Sequence, residues 1–196
     1  PASKEEMQEF FQDGINIIDF FKKRRADYFS KKHWELVGCE IPVNVPLSDS
    51  IRFIGYLDVV LYHPPTNRYK IIDIKTSTMG WNKYQKKDKS KTAQLLLYKK
   101  YFSEQRGLDI NNVDIEYFIV KRRLYEKVDF PQKRIQSFIP ANGSVSVNRA
   151  IQSMSEFVAK GFDPQGQHIA EQIATPSKKS CRFCEFKNTE HCTEGV

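Results

Sequence analysis

The sequence predicts one α/β domain followed by a cysteine-containing C-terminal appendage. Two long stretches carry apolar residues at helical spacing, and between and around them lie short runs that alternate apolar and polar residues. Three of the four cysteines (Cys181, Cys184, Cys192) crowd the end of the chain, unlike an evenly stapled secreted domain. With 196 residues, 40% hydrophobic and 28% charged, the chain is globular and long enough to bury a core. The expected division is a core over residues 1–162 and a Cys-rich segment over 163–196, packed on the same domain.

Each element has a local reason. Phe10, Phe11, Ile15, Ile18 and Phe21 recur near the 3.6 period, so Lys4 to about Lys31 reads as a helix. Trp34 to Pro46 carries Val37, Ile41, Val43 and Val45 and reads as a strand. Ile54–Leu61 and Tyr69–Thr76 flank the turn-rich His-Pro-Pro-Thr-Asn-Arg and read as a hairpin. A polar, Lys-rich connection over Ser77–Lys91 leads into a helix from Thr92 to about Gln105, with Leu95, Leu96, Leu97, Tyr98, Tyr101 and Phe102 on a broad apolar face. Asp114–Val120 and Arg134–Phe138 read as further strands. Ser144 or Ser146 caps a last helix to about Lys160, with Ile151, Met154, Phe157 and Val158 facing inward.

The hairpin carries the chemistry. Asp73 and Lys75 share a face of one strand. If the hairpin folds symmetrically about Pro65 and Thr66, Asp58 lies across from Asp73. Directly opposed residues have Cβ atoms roughly 5 Å apart, close enough for two carboxylates to hold one divalent cation. The competing account is a surface hairpin with a Lys–Asp ion pair.

Three motifs occur in order: Gly55-Tyr-Leu-Asp58, Asp73-Ile-Lys75-Thr76 and, on the following helix, Gln94-x-x-x-Tyr98. Together they resemble the PD-(D/E)XK nuclease superfamily in its RecB-like branch. The resemblance covers roughly Trp34–Arg123, with the cysteine tail as a further match. It implies a restriction-endonuclease-like fold, a central mixed β-sheet flanked by helices, and Mg2+- or Mn2+-dependent hydrolysis of DNA. It also implies that Asp58, Asp73 and the carbonyl of Ile74 hold the metal, that Lys75 orients or deprotonates the attacking water, and that Gln94 and Tyr98 contact the substrate backbone or brace the metal ligands. Hard divalent ions prefer such oxygen ligands and make water nucleophilic. The family often adds a further acid, for which Glu40 is better placed than Glu35. The branch usually carries a His in its first helix, and this helix has none. Either that His precedes Pro1 or the metal site is modified.

The excess of Lys and Arg, 31 against 24 acids, favours a polyanionic partner. Trp81, Lys83, Tyr84, Lys86 and Lys87 belong to a stretch that interleaves lysines with aromatics. The lysines suit phosphates and the rings suit unpaired bases; a solvated loop with a packed Trp is the alternative. Lys121, Arg122 and Arg123 form a second basic candidate.

Cys181-x-x-Cys184-x7-Cys192 suits a soft metal centre. By resemblance to CRISPR-associated iron–sulfur nucleases, three such cysteines join a fourth around a [4Fe–4S] cluster. Here the last spacing is longer than usual, and Cys39 follows the first helix where the family's fourth cysteine precedes it. Cys39 as fourth ligand or as a buried strand residue, a ligand upstream of Pro1, Zn2+ with His191, and a metal-free remnant all stay open.

No apolar run approaches the ~18 residues of a membrane span, so a cytoplasmic protein is expected, in the host cytoplasm if phage-encoded, as small size and Lys/Phe-rich composition suggest. The function expected is DNA exonuclease action on single strands or duplex ends in recombination, repair or replication, with a helicase or recombinase as partner. A site- or structure-specific endonuclease and a catalytically decayed DNA-binding module are the alternatives.

Overall fold

A lone hairpin cannot bury both its faces, and here the chain solves that by building a five-stranded mixed sheet with helices on either side. The computed structural model describes residues 3–29, 32–125, 128–169, 176–178 and 180–196. The described elements are α1 (Lys4–Phe29), β1 (Glu35–Pro46), β2 (Arg52–His63), β3 (Arg68–Ser77), α2 (Lys83–Lys87), α3 (Lys89–Arg106), β4 (Val113–Lys121), β5 (Ile135–Phe138) and α4 (Ser144–Gly161). The mixed sheet flanked by helices is the restriction-endonuclease-like architecture expected. The helix expected to reach Lys31 is α1; residues 30 and 31 lie outside the described residues. The chain divides into two units, Pro1–Met154 and Ser155–Val196.

Sheet order follows chain order. β1, β2 and β3 form an antiparallel meander, β4 lies parallel to β3, and β5 returns antiparallel. A parallel β3–β4 pair needs a long crossover, which α2 and α3 supply. The tight turn between β2 and β3 is a 3-10 turn at Pro64–Thr66 closed by Asn67 at φ 49°, a left-handed conformation that Asn tolerates. The polar, Lys-rich connection contains α2, started by a capping box in which Asn82 and Gln85 exchange side-chain and backbone hydrogen bonds.

Each sheet face has its own core. On one, Val43, Leu57, Val60, Ile71, Tyr117 and Ile119 pack with α3 (Leu95, Phe102) and with Val147 and Ala150 of α4. On the other, Val59, Leu61, Ile72, Phe118, Val120 and Ile135 lie under α1. The period of α1 is as expected but its phase differs. Ile17, Phe20, Phe21, Tyr28 and Phe29 face the sheet, whereas Phe10, Phe11, Ile15 and Ile18 are exposed. Ion pairs fix this rotation as well as rings: Arg122 lies 3.6 Å from Asp13 and stacks on Phe10, and Arg123 pairs with Glu9. Two members of the basic run, Arg122 and Arg123, are thus paired with acids of α1.

One irregularity matters for function. Leu57 and Val59 are two residues apart, so a regular strand would place them on one face, yet they belong to opposite cores. The alternation breaks at Asp58. Across the ladder, Cys39 pairs with Val59 and Ile41 with Leu57, and the intervening Glu40 sits at φ 52°. Two strands kink side by side there.

Phe118 joins α1 to the sheet: the rings of Phe29, Tyr28 and Phe21 centre 5.3, 5.5 and 6.0 Å away. Phe118→Ala should lower unfolding free energy by about 3–5 kcal/mol, read as a lowered urea midpoint with earlier proteolysis of α1. A loss below about 1 kcal/mol would contradict this anchoring.

Candidate active site

The β2–β3 ladder runs from His63↔Arg68 to Val59↔Ile72 and then stops. Beyond that point β2 continues paired to β1, and β3 continues paired to β4 through Ser77↔Lys121. Asp58 and Asp73 occupy the next rung of the register, the place that symmetric folding of the hairpin predicts. Instead of a backbone rung, the Ile74 N–H donates to Asp58 Oδ2 at 2.6 Å. The kink at Asp58 turns its carboxylate along the sheet, toward β3.

Asp73 belongs to the α3 face and is 2% exposed. The Lys75 ammonium stands 2.8 Å from Asp73 Oδ2, an ion pair without hydrogen-bond geometry, so that buried oxygen has no hydrogen-bond partner. Burial pushes the Asp73 carboxyl above the usual carboxylate range; Lys75 opposes the push and the Asp58 charge adds to it. The Tyr117 phenol is pushed far up, by its own burial and then by the Asp73 charge, and its hydroxyl donates to the Lys91 carbonyl at 2.7 Å. A buried carboxylate of raised pKa beside a second carboxylate is a poor structural element. It fits a divalent cation, which would satisfy both anions.

Helix α3 closes the site from above. Gln94 Nε2 donates to Tyr98 Oη at 3.1 Å, as residues one turn apart on a helix can. Tyr98 is buried, set edge-on to Phe53. A Cβ on Gly55 would fall 2.5 Å from Tyr98 Cε1, so glycine at that position admits the ring. The three motifs read from the sequence therefore meet: Gly55 makes room for Tyr98, and Asp58 reaches the Asp73-Ile74-Lys75 strand.

Other residues lie elsewhere. Glu35 and Glu40 are exposed on β1, and among the described residues no three His, Cys, Asp or Glu side chains are grouped to hold a metal ion, so Glu40 does not join Asp58 and Asp73. Trp81 is 8% exposed, packed on Tyr117 and Phe138, which removes it from base stacking and matches the packed alternative. Tyr84 is 71% exposed with the Lys83 ammonium over its ring, and Lys86 lies over Phe138. Cys39 is exposed on β1 rather than buried, while in the second unit Cys181 is buried, Cys184 exposed and Cys192 between. The tail cysteines form no metal-holding group among the described residues, so the [4Fe–4S] or Zn2+ centre expected from their spacing finds no support. Sequence reasoning missed Tyr117, because nothing local marks a strand tyrosine as the neighbour of a carboxylate. No described helix is long and apolar enough to cross a membrane.

The elevated pKa of Asp73 has a thermodynamic sign. The folded chain holds the Asp73 proton to higher pH than the unfolded chain, so ionised Asp73 destabilises the fold at neutral pH. That penalty fades as pH falls through the raised folded value and is gone below the ordinary 3.8. Asp73→Asn should therefore raise the urea midpoint at pH 7, with a gain that shrinks toward pH 4. A variant less stable than the parent at pH 7 would contradict the reading of Asp73 as a strained site.

No match is found among curated proteins. Among solved structures, the crystal structure of SSO0001 is similar at 13% identity with a TM-score of 0.40, over 88% of this chain and 65% of that one. The chain thus spans less than two thirds of that protein's length. A family model, that of the PD-(D/E)XK nuclease superfamily, matches residues 16–189. By that match, over most of its length, the chain belongs to the PD-(D/E)XK nuclease superfamily.

Proposed function

We propose that the chain is a Mg2+- or Mn2+-dependent DNA exonuclease of the RecB-like kind. The observation that carries the reading is the convergence of Asp58 and Asp73 beside Lys75 where β2 and β3 part, with one Asp73 oxygen buried and lacking a hydrogen bond. Asp58, Asp73 and the Ile74 carbonyl are the atoms for the cation. When bound, a divalent ion neutralises the phosphate and lowers the pKa of its water.

The chain's own groups do the rest. Lys75, held against Asp73 and one-third exposed, offers its ammonium to the attacking water and to charge growing on the phosphate oxygens. Gln94 donates to the Tyr98 oxygen, which leaves the Tyr98 hydroxyl proton for a substrate oxygen. Lys83, Lys86 and Lys87 supply positive charge on α2, and exposed Tyr84 presents a face for an unpaired base. Trp81 acts here as the packed base of that segment. Attack from a DNA end is the finer part of the proposal, drawn from the order of motifs shared with the RecB-like branch.

Digestion with Mn2+ tests the reading. Linear DNA should be degraded while covalently closed circular DNA survives. Lys75→Ala should slow the cleavage by about 10²–10⁴-fold, and Asp73→Ala should remove it with the fold intact by circular dichroism. Discrete fragments from circular DNA would replace the exonuclease with an endonuclease. Undiminished activity in both variants would sink the site.

A further inference from the structure

The helix that closes the catalytic pair has a second flank. Gln94 and Tyr98 face Gly55 and Phe53, whereas Thr92, Ala93 and Leu96 line a groove of about 500 Å³ between the α2–α3 segment and the start of α4. Its rim carries four cations, Lys86, Lys87, Lys89 and Arg149, and no Asp or Glu is among its lining residues. The nearby Asp88 carboxylate is engaged at the start of α3, accepting from the Ser90 N–H and hydroxyl at 3.1 and 2.7 Å. The floor is apolar, with Leu96, Phe138 and Ala150.

Cations at the rim and a partly exposed aromatic ring in the floor, Phe138, suit a ligand that carries both anionic and planar groups. Volume narrows this further. The groove lies within the ~300–1,000 Å³ range of small-ligand sites, room for a nucleotide or two. Bases must be unpaired to lie on an apolar floor. We propose that this groove binds single-stranded DNA, with backbone phosphates on Lys87, Lys89 and Arg149 and with the Lys86 ammonium moving from over the Phe138 ring to a phosphate as a base takes its place. The proposal rests on the nuclease reading for the choice of DNA, and it gives that enzyme a strand-holding site on the side of α3 away from the catalytic carboxylates. A strand held there remains attached to the chain while the other flank works on its continuation.

Lys89→Glu combined with Arg149→Glu tests it. Both positions are exposed, and an acid in the first turn of α3 suits the helix dipole, so the fold should tolerate the change. Binding is read by fluorescence anisotropy of a labelled twelve-nucleotide oligo-dT and of a labelled blunt duplex, without divalent metal. The variant should bind oligo-dT at least tenfold more weakly with little change for the duplex. The slope of log affinity against log salt should fall by about 1.4, for two lost phosphate contacts at ~0.7 each. The same charge change at Lys22 and Lys23 on α1 should leave the slope for oligo-dT as in the parent. Unchanged oligo-dT affinity, equal losses for duplex and single strand, or an equal effect of the α1 variant would each overturn the proposal. The nuclease reading fails separately, by absence of cleavage in the parent chain, and anisotropy does not depend on cleavage.

Discussion

The hydrogen bond from the Ile74 amide to the Asp58 carboxylate is the constraint on which the rest of the site depends. In a regular ladder a backbone carbonyl of β2 would take that amide, and the two strands would stay closed. Here a side chain accepts it, and β2 is free to leave with β1 while β3 stays with β4. The same kink lets Leu57 and Val59 serve opposite cores, so both layers of helices are seated by the residue that opens the site. Charge-assisted bonds to a carboxylate are among the stronger ones, which suits a contact that replaces a rung of the sheet.

What opens the strands also strains them. Asp73 is buried against an ammonium, beside a second carboxylate, with an oxygen that lacks a hydrogen bond. A protein selected only for stability would place an apolar residue there. Its burial is the physical reason to read a cation site rather than a surface ion pair, and it follows the general pattern of local strain at functional positions. The helix above is fixed in the opposite manner, by close fit. Tyr98 enters only because Gly55 lacks a side chain, and Gln105 ties α3 to β1 through Asn44 and Pro42.

Much of this was legible in the sequence because the signals were local. Hairpin register follows from a symmetric turn, and Val59↔Ile72 places Asp58 and Asp73 on the next rung as expected. Strand and helix identities followed from period. What failed to be legible depended on convergence. The phase of α1 is set by Phe118 and Arg122 far along the chain, so Phe10 and Phe11 read as core and are exposed. The choice between stacking and packing for Trp81 is decided by Tyr117 and Phe138, two later strands. The cysteine spacing reads like a metal site, yet among the described residues Cys181, Cys184 and Cys192 form no metal-holding group.

If the opened strand pair gathers two carboxylates for one divalent cation, the chain binds Mn2+ through both Asp58 and Asp73. Electron paramagnetic resonance of Mn2+, counting free ion against added protein, tests it most directly. One equivalent should bind per chain and be lost in Asp73→Asn and in Asp58→Asn alike. Mn2+ bound by both variants as tightly as by the parent would contradict it.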